Sequence, residues 1–194
     1  MKEYTLSGRQ ANLYQLLLAL PVLLFDGVPY MLIWCELGGS WTECRLSLMR
    51  LNMTVIQNVM NIPLWLFLVP VAIVAGIVFH ELLHGIVMAA FAKNGWKSVS
   101  FGFNVQAFAP YAHCREPLSP NAYRLTLVAP GILLGDIPVL VGWCTGNILF
   151  LFFGILFTLS AAGDIIIFWM SRNITGGMLQ DHSEKIGFVH VEEE

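Results

Sequence analysis

His80-Glu81-Leu82-Leu83-His84 is the stretch of this chain best equipped for chemistry. On an α-helix, side chains four residues apart lie on one face. Two imidazoles at that spacing can hold one zinc ion, and the glutamate between them reaches a water in the ion's open position. Zinc lowers the pKa of such a water toward about 7 and polarises a carbonyl. Glu81 would then accept the water's proton as the carbonyl is attacked and deliver it to the leaving amine. The motif therefore predicts a hydrolytic zinc centre with His80 and His84 as ligands and Glu81 as general base. A chance HExxH is the plain alternative, and the setting weighs against it. The run from Pro63 to Ala92 is otherwise almost wholly apolar, where each ionisable side chain costs roughly a few kcal/mol to insert. A bound cation relieves that cost.

Two histidines do not complete such a centre, since a catalytic zinc takes three protein ligands. The candidates for the third are Asp26, Asp136, Asp164, His113 and Cys114. Rise along a helix gives a coarse depth for several of them. His84 precedes Lys93 by ~14 Å of helix, Asp164 precedes Arg172 by ~12 Å, and Asp136 follows Arg124 by ~18 Å. Both aspartates match the depth of the histidines, so position along the chain leaves Asp164 and Asp136 open. Asp26 falls nearer the opposite interface.

The elements that must position these residues read as membrane helices. Of the 194 residues, 57% are hydrophobic and only 12% charged, and mean hydropathy is +0.69. A soluble domain carries roughly a quarter charged residues, so part of the surface must face lipid. The net charge of −3, with its few dispersed cations, excludes a nucleic-acid partner. A spanning helix needs ~20 mostly apolar residues, and four segments qualify or nearly do, at about 13–34, 63–92, 125–143 and 147–170. The second is long for one crossing; it either kinks or begins at Pro70, or it tilts. The expected fold class is an all-α polytopic membrane protein of about four transmembrane helices, with a short strand or hairpin between the second and third. That strand is Ser98 to Ala107, where apolar and polar residues alternate. A hairpin partner is available in Phe108 to Cys114, and an open edge would accept an extended peptide by strand addition.

The HELLHG helix, the loop ending in Tyr111-Ala112-His113-Cys114, the span containing Gly163-Asp164 and the tail Asp181-His182-Ser183-Glu184-Lys185-Ile186-Gly187-Phe188 together resemble a family of short bacterial membrane proteins, the zincin peptidases. More distantly the chain resembles the site-2 group of intramembrane zinc proteases, in which two histidines of one membrane helix and an aspartate of a later helix bind zinc. Carried over residue by residue, the resemblance implies His80, His84 and Asp164 as zinc ligands and Glu81 as base. It also implies a membrane-protein or peptide substrate. In the site-2 group the aspartate lies in a Pro-rich stretch followed by Gly, whereas here it stands in Gly163-Asp164-Ile165. Asp136 remains the alternative third ligand. His113 and Cys114 are expected at the edge of the site or as loop structure, and His182 and His190 in a solvated tail over 171–194.

Two non-protease readings compete. One is an inactive membrane binding or regulatory protein that retains zinc; an intact Glu81 weighs against it. The other is a small metal transporter, for which the first span offers little beyond Asp26. Cys35 and Cys44 share one predicted loop and read as free thiols sooner than as a disulfide. The N-terminal apolar run lacks a small-residue cleavage site and reads as a retained helix. Eight of the ten Lys and Arg residues fall on one side of a four-span topology, which places both termini and the strand-bearing loop in the cytoplasm. A membrane-impermeant thiol reagent applied from outside should label a cysteine introduced at Ser40 and not one at Ser183. The opposite pattern would reverse the orientation.

Overall fold

The computed structural model describes residues 1–36, 64–104, 109–182 and 186–192. Helix α1 (Gly8–Val22) opens on a capping box: the Ser7 hydroxyl accepts from the Gln10 N–H, and the Gln10 side chain accepts from the Ser7 N–H. Pro21 has no N–H to donate, and just beyond it the ladder widens into a π turn over Leu23–Gly27 before α2 (Val28–Glu36). Helix α3 (Leu64–Phe91) runs unbroken through Pro70, so the helix neither begins nor breaks at that proline. Helix α4 (Pro120–Pro130) starts with Ser119 as N-cap and Pro120 in the first turn. It too passes through a proline into a π turn, Gly131–Asp136, and continues as α5 (Ile137–Thr145). Helices α6 (Ile148–Ser160) and α7 (Ala162–Ser171) meet at Ala161 with a bend of 48°.

Three of these stretches are long and apolar enough to cross a membrane: Gly8–Trp34, Leu68–Phe91 and Pro120–Thr145, of 27, 24 and 26 residues. The bent pair α6–α7 makes a fourth if it counts as one span. Their apolar side chains point outward. Only 6% of the most apolar window of Gly8–Trp34 is buried, and Leu16, Phe25 and Phe152 are 70%, 73% and 67% exposed. Glycines let the helices close up: a Cβ at Gly76 on α3 would strike the Phe157 ring of α6, and one at Gly154 on α6 would strike Val139 of α5.

The chain is not all-α. Among the described residues, five strands form two sheets. Strand β2 (Val99–Asn104) pairs with β3 (Ala109–Cys114) as an antiparallel hairpin, with Val99 opposite Cys114 and Phe101 opposite Ala112. The strand begins at Val99 and not at Ser98, the part of the expected strand past Asn104 lies outside the described residues, and its partner is the segment that contains Pro110. The second sheet has the order β1-β5-β4, built from β1 (Lys2–Leu6), β4 (Met178–Asp181) and β5 (Ile186–Val191). This corrects the solvated tail. His182 lies 3.5 Å from Glu3, and His190 on β5 hydrogen-bonds the Gly176 carbonyl at 2.9 Å. The tail folds because Leu179 and Phe188, both 0% exposed, complete an apolar core with Met88, Cys114, Leu118, Tyr123 and Leu127. Backbone hydrogen bonds of 2.7 and 2.8 Å between Leu179 and Leu118 lock the sheet to the segment before α4. Cys44 and the side chain of Cys35 lie outside the described residues; Cys114 and Cys144 are free thiols.

Glu116 ties the hairpin to the end of α3. Its carboxylate accepts from the Lys93 N–H at 2.8 Å, from the Ser98 hydroxyl at 2.7 Å and from the Asn94 amide. The Ser98 and Asn94 bonds hold its pKa below the usual glutamate value.

Phe188→Ala should remove about 3–5 kcal/mol of stability, the usual cost of deleting a buried aromatic ring. Denaturant unfolding of the detergent-solubilised protein measures this; a loss below about 0.5 kcal/mol, typical of a surface change, would mean that the tail contributes no core.

Candidate metal centre

His80 and His84 stand one turn apart on α3, 5% and 7% exposed, with their rings meeting edge-on. Asp164 lies in the first turn of α7, where the helix dipole favours a carboxylate. That turn follows the bend at Ala161, and from it the Asp164 side chain reaches the histidines of α3. The His80 Nε2 and His84 Nε2 atoms are 3.3 Å apart, and Asp164 Oδ2 lies 3.2 Å from the first and 3.4 Å from the second.

These separations fit a zinc ion. Bonds of 2.0–2.1 Å in a tetrahedron put ligand atoms about 3.3 Å from one another. The tautomer of His84 fits as well. Its Nδ1 lies 2.9 Å from the Thr126 carbonyl, so Nδ1 carries the proton and Nε2 keeps its lone pair for a metal. A carbonyl or carboxylate behind a ligating histidine is the usual support for such a ring. His80 Nδ1 is buried without a hydrogen-bond partner among the described residues, so the ring of His80 is oriented by packing and by its contact with Asp164.

The three side chains open onto a cavity of about 440 Å³, also lined by Glu81, Met88, Tyr111, Ala112 and Asp181. The backbone N–H of Ala112 on β3 faces the Glu81 carboxylate. Strand β3, not β2, therefore borders the cavity. Gly85, one residue past His84, explains how the hairpin comes so close: a Cβ there would collide with the Phe101 ring.

The other candidate ligands stand elsewhere. Asp136 closes the π turn after Pro130, and its charge faces Asp26 in the matching π turn of the first span. Cys114 is 2% exposed in the core beneath the hairpin, and burial raises the pKa of its thiol. His113 has its Nδ1 3.9 Å from Asp181 Oδ2. Among the described residues, His80, His84 and Asp164 are the one trio of His, Cys, Asp or Glu side chains close enough to share an ion.

Two participants were invisible in the sequence. Thr126 acts through its backbone carbonyl, which carries no side-chain signal. Asp181 ends β4 and reaches the cavity wall, where its Oδ1 accepts from the Tyr123 hydroxyl at 2.8 Å. Burial pushes its carboxyl above the usual aspartate pKa, against the opposing pull of Tyr123 and His113. The tail motif beginning at Asp181 held the only hint, and an acidic residue in a polar tail ordinarily faces water.

No curated protein and no solved structure matches the chain. A family model described as "Putative zincin peptidase" matches residues 73–175, more than half of the 194-residue chain, and takes in both histidines, Glu81 and Asp164. The chain belongs to that zincin peptidase family.

Proposed function

We propose that this protein is a membrane-embedded zinc peptidase that cuts a membrane-associated polypeptide. The observation that carries this reading is the approach of three ligand atoms to 3.2–3.4 Å of one another in a cavity that Glu81 also lines. His80, His84 and Asp164 would hold the zinc. When bound, it would supply Lewis acidity, activating water and polarising the scissile carbonyl.

The chain's own residues account for the remaining steps. Glu81, adjacent to the ligand His80, takes the proton of the attacking water on its carboxylate and returns it to the leaving nitrogen. The Ala112 N–H orients that carboxylate. Thr126 fixes the ring of His84. A scissile amide must be extended to be reached, because a helix hides its backbone. The outer edge of β3 at Pro110 and Ala112 lies at the cavity, where their carbonyls can accept hydrogen bonds from an extended substrate segment. The apolar helices support a bilayer location, with water reaching the site from the cytoplasmic side.

Purified protein should contain about one zinc per chain, and His80→Ala or His84→Ala should abolish it. Metal analysis of Asp164→Ala and Asp136→Ala decides the third ligand: loss in the first and retention in the second is expected, and the reverse would transfer the role to Asp136. Glu81→Gln should keep its zinc and lose turnover by about 10²–10⁴-fold. Turnover of a substrate at the wild-type rate by Glu81→Gln would sink the peptidase mechanism.

A further inference from the structure

Asp181 lies outside the residues that the family model matches, yet it forms part of the wall of the cavity that holds the metal-binding trio. Its position is rigid. Strand β4 is pinned by β5 on one side and by the Leu118–Leu179 bridge on the other, and the Tyr123 hydroxyl, on a side chain 2% exposed, holds one carboxylate oxygen at 2.8 Å. The Cys114 N–H and the His113 imidazole also face the carboxylate. The Tyr123 hydroxyl and the Cys114 N–H favour the ionised form, while burial opposes it. Even so, the side chain keeps 23% of its surface exposed. The His113 contact, at 3.9 Å, is too long for a hydrogen bond.

The charge inventory of the cavity points to a role for this carboxylate. Its described lining contains three carboxylates, Glu81, Asp164 and Asp181, with two histidines and no Lys or Arg. Histidines that bind a metal do so neutral. One dication therefore leaves the cavity with one net negative charge. Glu81 and Asp164 are engaged by the reaction and the metal, which leaves Asp181 as the charge free to act on a substrate.

Resting on the peptidase reading, we propose that Asp181 is a specificity-determining residue that selects substrates carrying a lysine or arginine beside the scissile bond. Such residues are where a membrane-spanning substrate supplies them, since Lys and Arg cluster at the cytoplasmic ends of spans. Tyr123 and the β4 anchor hold the carboxylate in place, so little ordering is needed when the cation arrives.

The test uses full-length, zinc-loaded protein in detergent and a set of peptides that differ only in carrying Lys, norleucine or Glu at one position, scanned along the sequence. Binding is read by fluorescence anisotropy on Glu81→Gln, and cleavage on the otherwise unsubstituted protein. At one position the Lys peptide should bind about tenfold more tightly than its norleucine counterpart, the scale of a hydrogen bond to a charged group. The difference should appear in KM more than in kcat. Asp181→Asn keeps an acceptor for Tyr123 and should abolish the preference at unchanged zinc content; Asp181→Lys should shift it to the Glu peptide. Equal binding of Lys and norleucine peptides at every position by protein with Asp181 intact would overturn the proposal, and that comparison needs no variant at Asp181 to fold. A Lys preference that survives in Asp181→Asn would overturn it too. A Lys preference in binding without any cleavage would instead refute the peptidase reading and leave the cation site standing.

Discussion

Two imidazole nitrogens and a carboxylate oxygen lie 3.2–3.4 Å apart between α3 and α7, two strongly apolar helices. Such a cluster is expensive. Lone pairs that point at one another repel, and polar groups taken out of water cost several kcal/mol when they are not fully bonded. A cation at the centre would turn these repulsions into bonds. Much of the surrounding architecture sets the three side chains in place for such an ion.

The support comes from α4. Its Thr126 carbonyl fixes the ring of His84, and its Arg124 reaches the far end of α7, donating to the carbonyls of Ser171 and Ile174. A guanidinium at a helix C-terminus satisfies orphan carbonyls and suits the helix dipole. One helix thereby orients His84 on α3 and clamps the helix that bears Asp164. The small sheets extend the same frame. Glu116 binds the exit of α3 to the hairpin stem, and the β1-β5-β4 sheet packs Leu179 and Phe188 beneath Tyr123. Chain segments from both termini thus bear on a site whose ligands lie between residues 80 and 164.

Depth and polarity are also sorted. The two π turns follow prolines and each carries one aspartate, Asp26 or Asp136. Trp143 donates to the Asp26 carbonyl, Trp34 to the Trp143 carbonyl and Tyr30 to the Gly146 carbonyl, which couples the first span to the third at that level. Indole and phenol groups in such a cluster suit a membrane interface, where one end of the ring is wet. His80, His84 and Asp164 sit apart from these carboxylates, beside the hairpin and the sheet.

How much of this was legible in the sequence follows from the range of each interaction. His80, Glu81 and His84 were legible because helical periodicity is local: four residues fix one face whatever the rest of the chain does. The apolar runs were legible for the same reason, since composition alone decides whether a segment of that length can face lipid. The hairpin was half legible, because alternation marks β2 while Pro110 obscures β3. Asp164 and Asp136 could not be separated by counting residues, since both reach a suitable depth. The packing of α4 against both α3 and α7 brought Asp164, just past the bend at Ala161, to the histidines, and Asp136 lies in a π turn near Asp26 instead. The tail misled for a related reason. Residues 171–194 look solvated when read alone, because their apolar residues are too few to make a core of their own. They fold only by pairing with Lys2–Leu6 and packing on Tyr123. Contacts between residues dozens of positions apart leave no periodic trace, and it is such contacts, with Tyr123 and Leu118, that placed Asp181 in the cavity.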